Sequence, residues 1–79
     1  MRYTVVLTPE ADGSAYNVTV PAMPGCLTWG TTVDEALASA REAIALHLEG
    51  YAERGEPYPV EDTPPRLAQV EVEPLRAAS

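Results

Sequence analysis

The sequence predicts an α+β fold in the order β-β-β-α-β. Three observations lead to this prediction: two alternating runs flank an Asp12-Gly13 reversal, a helix-capping pattern begins at Thr32, and alternation returns after a proline-rich connector. A chain of 79 residues has room for one hydrophobic core. We therefore expect a three-stranded antiparallel meander, one helix packed on it, and a fourth strand.

The first two strands are predicted to form a β-hairpin. Over residues 2–8, Tyr3, Val5 and Leu7 alternate with more polar neighbours, which is typical of a half-buried strand. A second alternating run covers residues 15–20. Because the Asp-Gly pair between them tolerates the positive φ of a tight reversal, the two runs should pair antiparallel.

A short third strand is predicted after a proline-rich turn. Pro21 lacks an amide donor, and Pro24 with Gly25 adds a second break, so pairing should stop and the chain should turn. Residues 26–29 then fit a strand that ends before Gly30. The short return favours pairing with the second strand.

A long helix should follow. Thr32 and Glu35 have the spacing of a capping box, in which the hydroxyl accepts a bond from an early amide and the carboxylate reaches back to the cap. Apolar residues then recur every three or four positions until Gly55, a good stop signal. The small side chains of Ala36, Ala40 and Ala43 should let the helix lie close to the sheet. Acidic residues mark the outer face of this helix: Asp34, Glu42, Glu49 and Glu53.

A connector and a fourth strand complete the prediction. Prolines 57, 59, 64 and 65 prevent regular structure over residues 56–65. Alternation resumes at residues 66–73 and should end at Pro74. A strand reached across a helix can lie parallel to the first strand, which gives the sheet order 3-2-1-4. We expect one domain over residues 1–74 and a frayed tail over residues 75–79.

Composition limits the classes of partner. The formal net charge is −7, and the five basic residues are arginines scattered along the chain, so no basic patch for nucleic acid is visible. Acidity favours a basic partner, or it serves solubility alone. No apolar run is long enough to span a bilayer, and the first residues lack the pattern of a signal peptide. We expect a cytoplasmic location.

The residues that could carry catalysis are isolated. His47 is the single histidine and falls on or beside the apolar face of the helix, while Cys26 is the single cysteine. Neither has partners spaced for a nucleophile or a zinc site. Trp29 can be either a core side chain or an exposed anchor for a partner. We expect no enzymatic activity, no bound metal and no cofactor.

The segment PAMPGCLTWGTTVDEA, residues 21–36, together with DGSAYNVTVP before it and the alanine-rich helix after it, resembles the HicB-like antitoxin family. The chain is similar to a short, single-domain member. The resemblance implies a partial ribonuclease-H-like fold and neutralisation of a small basic HicA-like RNA-cutting toxin by direct contact. We also expect homo-oligomers, a dimer or tetramer, because so short a chain buries a small share of its surface. Such antitoxins commonly carry a further DNA-binding region, helix-turn-helix or ribbon-helix-helix. The acidic, proline-rich residues after the helix are too few for a helix-turn-helix unit and show no basic DNA-reading strand, so we do not expect DNA binding.

The residues that define this motif are Asp12, Gly13, Pro21, Pro24, Gly25, Cys26, Gly30, Thr32, Glu35 and Ala36. The candidate partner contacts are Trp29, Glu42, Glu49 and Glu53. Two other hypotheses stay open: an orphan structural or ligand-binding oligomer without a toxin, and a residual metal-dependent nuclease. The nuclease would require converging carboxylates, whereas residues 3–8 contain none.

Overall fold

Three short strands and one long helix form the regular structure of residues 1–76, the part of the chain that the computed structural model describes. The elements are β1 Val6–Pro9, β2 Tyr16–Thr19, β3 Leu27–Gly30 and α1 Val33–Glu53. The sheet order is β1-β2-β3, and both pairings are antiparallel. The predicted α+β class, the meander and the single helix are therefore confirmed for these residues.

The β1–β2 hairpin closes through the predicted reversal. Gly13 adopts φ 75°, and its amide donates to the carbonyl of Glu10 over 2.9 Å. The Ser14 amide donates to Asp12 Oδ1 over 2.9 Å. Hydrogen bonds from Ser14 lower the pKa of the Asp12 carboxyl, since they favour its ionised form.

Strand β1 begins later than the alternation predicted. Its register pairs Val6 with Thr19, so the same register would place Thr4 opposite Pro21. A proline has no amide to donate to a ladder, and the chain turns at this point. Regular pairing therefore starts at Val6, although Tyr3 still packs against the core.

The turn after β2 is buried. The Met23 amide donates to the Val20 carbonyl over 2.9 Å, and the Cys26 amide donates to the Met23 carbonyl over 3.0 Å. Gly25 supplies the positive φ, 89°, that this reversal requires. Met23, Cys26 and Val20 are buried together against the half-buried Ile44 and further apolar neighbours. This turn is therefore part of the core.

The junction between β3 and α1 brings backbone against backbone. A Cβ on Gly30 would lie 2.3 Å from the Ala36 nitrogen, closer than any side chain can approach. Thr32 is the N-cap, and its hydroxyl accepts the Glu35 amide over 3.1 Å, as predicted. The Glu35 carboxylate, however, accepts from the Thr31 hydroxyl, not from the cap amide of a full capping box.

The helix packs on the sheet through small side chains. Ala36 and Ala40 are buried against Val18 of β2, and Leu7 lies beside them on β1. Alanine allows the helix axis to approach the strands closely, as the sequence predicted. The helix ends at Arg54, after which Gly55 adopts φ 68°.

The connector returns to the residues just before β1, but no fourth strand forms within residues 1–76. The Tyr3 hydroxyl donates to the Pro59 carbonyl over 2.6 Å, while Thr4 donates to the Glu61 carboxylate through its amide, over 2.8 Å, and through its hydroxyl, over 2.6 Å. Within the described residues, positions 66–76 are exposed and belong to no strand. The predicted strand over residues 66–73 and the order 3-2-1-4 are thus wrong for this chain on its own.

The prolines explain this difference. Pro64 and Pro65 fix two successive φ angles just after Glu61 has bonded Thr4, and residues 66–76 beyond them are exposed. The ribonuclease-H-like description rests on the missing strand and stays a prediction. The predicted tail at residues 75–79 lies mostly outside the described residues.

Candidate functional site

An acidic surface runs along the side of α1 that faces away from the sheet. Glu42, Glu49 and Glu53 are all exposed, and their spacings of seven and four residues place them on one side of a helix. Leu46 lies among them and is 66% exposed. We call these four residues the acidic stripe.

Among residues 1–76, no cation forms an ion pair with a carboxylate of the acidic stripe. The last turn of the helix carries no basic residue, and its carbonyl end adds negative potential close to Glu53. Arg54 follows, but its Nε bonds Glu56 over 2.9 Å and its guanidinium lies 5.0 Å from the Tyr51 ring centroid. The bond to Glu56 raises the pKa of Arg54. The stripe therefore presents carboxylates around an exposed leucine.

Trp29 lies on the opposite side of the molecule. Its indole is 60% exposed on the outer face of the sheet, since the alternate residue Gly30 faces the helix. Leu27 lies on the same face and is 68% exposed, and the two pair across the ladder with Thr19 and Asn17 of β2. Trp29 is thus an exposed side chain, not a core side chain.

The four candidate partner contacts therefore divide into two surfaces. Glu42, Glu49 and Glu53 lie together on the helix, whereas Trp29 lies beyond the sheet. Sequence reasoning missed Leu46 and Leu27 as members of these surfaces. Leu46 could have been predicted as an exposed residue, because it falls outside the apolar repeat of the helix. It lies four residues after Glu42 and three before Glu49, which places it on their face.

The motif residues mostly shape the chain. Cys26, Gly30 and Ala36 are buried at the turn and at the β3–α1 junction. The other motif residues are exposed at turns and at the helix cap: Asp12, Gly13, Pro21, Pro24, Gly25, Thr32 and Glu35. Met23, which no pattern singled out, is the largest fully buried side chain of the described residues.

The two isolated reactive side chains lie in structural settings. His47 is half-buried, and its Nδ1 lies 3.2 Å from the Ala43 carbonyl oxygen one turn earlier. Cys26 is 1% exposed, and burial raises the pKa of its thiol, which disfavours the nucleophilic thiolate. Over residues 1–76, no three His, Cys, Asp or Glu side chains are grouped to hold a metal ion.

Among the described residues, no helix combines the length and the apolar character needed to cross a bilayer.

A three-stranded meander backed by one helix, with exposed apolar side chains on both faces, defines a small α+β domain. The chain belongs to the HicB-like antitoxin family of bacterial toxin–antitoxin systems, whose family model matches residues 3–75. The family resemblance of the motif segment is thereby confirmed.

Individual relatives agree with this assignment. A UPF0150 protein of Thermoplasma acidophilum is 46% identical over 59 residues, which cover 75% of this chain and 84% of the relative. Antitoxin HicB of Escherichia coli K12 is 40% identical over 60 residues, 76% of this chain and 43% of the antitoxin. The chain thus spans less than half the length of that antitoxin.

Solved structures show the same fold. The N-terminal domain of Burkholderia pseudomallei antitoxin HicB superposes with a TM-score of 0.67 at 42% identity, covering 84% of this chain and 74% of the domain. A structure of the B. pseudomallei antitoxin HicB gives a TM-score of 0.64 and is covered over 48% of its length.

Proposed function

We propose that this chain is a non-catalytic antitoxin that neutralises a small basic HicA-like RNA-cutting toxin in the cytoplasm by direct contact through the acidic stripe. Family membership supports the antitoxin role. The observation that carries the contact surface is the placement of three exposed carboxylates around the exposed Leu46 on one helical face.

The chemistry of the stripe suits a basic partner. A net charge of −7 attracts a cationic protein at long range and speeds the encounter. At contact, the carboxylates can accept hydrogen bonds from lysine or arginine side chains, and Leu46 can fill an apolar depression at the centre. Such a contact would block an RNA-binding surface, since that surface must itself be basic to bind phosphates.

A catalytic role has less support. Cys26 is buried and His47 lies against a backbone carbonyl, so neither offers a nucleophile paired with a base. Inhibition by occlusion needs only a stable surface, and the acidic stripe is built on a regular helix of 21 residues.

Binding and protection measurements with a purified HicA-like toxin test the proposal. The toxin should bind this chain and lose its RNA-cutting activity in proportion to complex formation. Glu49→Lys should weaken binding by about tenfold or more at low salt, because it places a cation in the contact. Leu46→Ala should weaken it as well, by removing the anchor.

Glu71→Lys is the matched control for Glu49→Lys, because it makes the same charge change at an exposed site outside the stripe. Its effect should stay within about threefold, since rim or remote charges act only through the long-range field. If both reversals weaken binding equally, the stripe is not the contact.

Trp29→Ala tests the other surface. Strong weakening by Trp29→Ala together with no effect of Glu49→Lys would place the toxin on the outer sheet face. Failure to bind or protect against any HicA-like toxin would favour the alternative, an orphan structural or ligand-binding oligomer of the same fold.

A further inference from the structure

A groove opens between the residues just before β1 and one side of α1. It has a volume of about 680 Å³, which lies within the range of small-molecule sites. Its lining comes from residues 1–5, from four positions of α1 and from the connector. The groove is therefore large enough for a small ligand, and its chemistry follows from the residues that line it.

Much of this lining is apolar. Leu37, Ala40 and Ile44 recur at intervals of three and four residues, so they lie on one side of α1. Val5 lines the groove from the segment before β1 and packs on the core. Leu37 is 41% exposed, so part of the apolar lining meets water. A hydrocarbon that covers this lining would remove apolar surface from water, which favours binding.

Two arginines also line the groove, Arg2 from the segment before β1 and Arg41 from α1. Within residues 1–76, neither takes part in an ion pair or a side-chain hydrogen bond. The sequence explains this for Arg41, because no acidic residue lies three or four positions from it along the helix. In a chain with a net charge of −7, two unpaired guanidinium groups at one apolar groove favour an anionic ligand.

The connector contributes two carboxylates to the groove, Glu61 and Asp62. Both oxygens of Glu61 accept from Thr4, from its amide over 2.8 Å and from its hydroxyl over 2.6 Å. Asp62 is exposed and forms no ion pair within residues 1–76. These carboxylates repel an anion, so the head group of an anionic ligand should contact the arginines and keep away from the connector.

The length of the apolar lining sets the size of the ligand. Leu37 and Ile44 are seven residues apart, which corresponds to about 10 Å along a helix. A saturated chain of about eight carbons has a similar length. The acid that suits the arginines is a carboxylate, because a guanidinium group can bind it through two parallel hydrogen bonds.

We propose that the groove binds an amphipathic carboxylate, a medium-chain fatty acid whose head group is held by Arg2 and Arg41 and whose chain lies along the apolar side of α1. The groove uses positions 37, 40, 41 and 44 of the helix, whereas the acidic stripe uses positions 42, 46, 49 and 53. These two sets lie on different sides of α1. The ligand site is therefore separate from the proposed toxin contact and does not depend on it.

Titration of the full chain with octanoate, followed by NMR, tests the site. The methyl resonances of Val5, Leu37 and Ile44 should shift together, while the Trp29 indole, on the outer face of the sheet, should not. The dissociation constant should be about 1 mM or lower for a ligand of this size. Octanol has the chain without the charge and should bind at least about tenfold more weakly. Equal binding of octanol, or no shift of these methyls at about ten times that octanoate concentration, would overturn the proposal.

Two matched pairs of variants test the contacts. Arg41→Gln removes a charge from the groove, and Arg76→Gln removes the same charge from an exposed site outside it. Arg41→Gln should raise the octanoate dissociation constant about tenfold, and Arg76→Gln less than about twofold. Leu37→Ala and Leu46→Ala make the same truncation inside and outside the groove, and only Leu37→Ala should weaken binding, by about threefold or more.

All four substituted side chains are exposed, so circular dichroism of the variants should match that of the wild type. Equal effects within either pair of variants would overturn the proposed contacts. The comparison of octanoate with octanol uses the wild-type chain, so it tests the site even where a variant is destabilised.

Discussion

The motif segment, residues 21–36, and the C-terminal arm, residues 66–75, contain similar types of residue, but the first is largely packed into the core and the second is exposed. Prolines lie at the start of the motif segment and at both ends of the arm, and both regions contain apolar residues between polar ones. In the motif segment, Met23 and Cys26 are fully buried by the sheet and the helix. In the arm, each large apolar side chain faces solvent. The alternation of apolar and polar residues indicates which side chains are suited to burial. The geometry of the loops and turns then determines whether the sheet or the helix can reach and cover them.

Gly30→Ala should destabilise the fold most, because position 30 lies at the buried β3–α1 junction within the motif segment. The new Cβ would lie 2.3 Å from the Ala36 nitrogen and 2.7 Å from its Cα, and backbone atoms cannot rotate away. We expect a loss of about 3 kcal/mol or more in the free energy of unfolding, measured by urea denaturation.

Gly13→Ala is the comparison for Gly30→Ala. Nothing lies within 4 Å of a Cβ at position 13, so the cost there comes from the positive φ alone. It should be about 1–2 kcal/mol, clearly below that at Gly30. Equal losses would mean that the junction relaxes and that close approach is not what the glycine provides.

Met23→Ala and Leu67→Ala compare one truncation in each region. Met23 is 0% exposed, so its removal leaves a cavity and should cost about 3 kcal/mol. Leu67 lies in the arm, so its removal should change the free energy of unfolding by less than about 0.5 kcal/mol in dilute protein. Thermal denaturation at low protein concentration measures both. A large cost at Leu67 under those conditions would show that the arm packs within its own chain.

Glu61→Ala tests the attachment of the connector, which leads to the arm, to the residues just before β1. Loss of its carboxylate leaves the Thr4 amide and hydroxyl without their partner, which should cost about 1–2 kcal/mol. Asp62→Ala, at an exposed neighbour, should cost little. Hydrogen exchange at Thr4 should rise in Glu61→Ala and not in Asp62→Ala, whereas equal exchange in both would contradict the role of Glu61.

Much of the fold was predictable because its signals are local. Each of these signals depends on a few neighbouring residues, and the structure places each as expected: the Asp12-Gly13 reversal, the Thr32 cap, and the spacing of Ala36 and Ala40. The fourth strand was not predictable in this way. Alternation marks residues 66–73 as suited to a sheet edge, but it carries no information about whether Pro64 and Pro65 allow the chain to reach that edge.

The candidate site was predictable only in part for a similar reason. The spacing of Glu42, Glu49 and Glu53 placed them on one helical face, and the structure agrees. The sequence could not assign Trp29 to one face of the sheet. The close contact of Gly30 with Ala36 determines which face of β3 meets the helix, and that contact forms only in the folded chain.

Thr32→Ala tests the entry into α1 separately from the packing around it. The Thr32 hydroxyl accepts the Glu35 amide over 3.1 Å at an exposed site, so its loss should cost about 1 kcal/mol of unfolding free energy. Thr32→Ser keeps the hydroxyl and should retain most of the stability. If Ser and Ala lose stability equally, the methyl group and not the cap bond is what Thr32 contributes. Gly30, two residues earlier, acts through close backbone contact. Comparing the stability losses at positions 30 and 32 therefore distinguishes the contribution of the close contact from that of the helix cap.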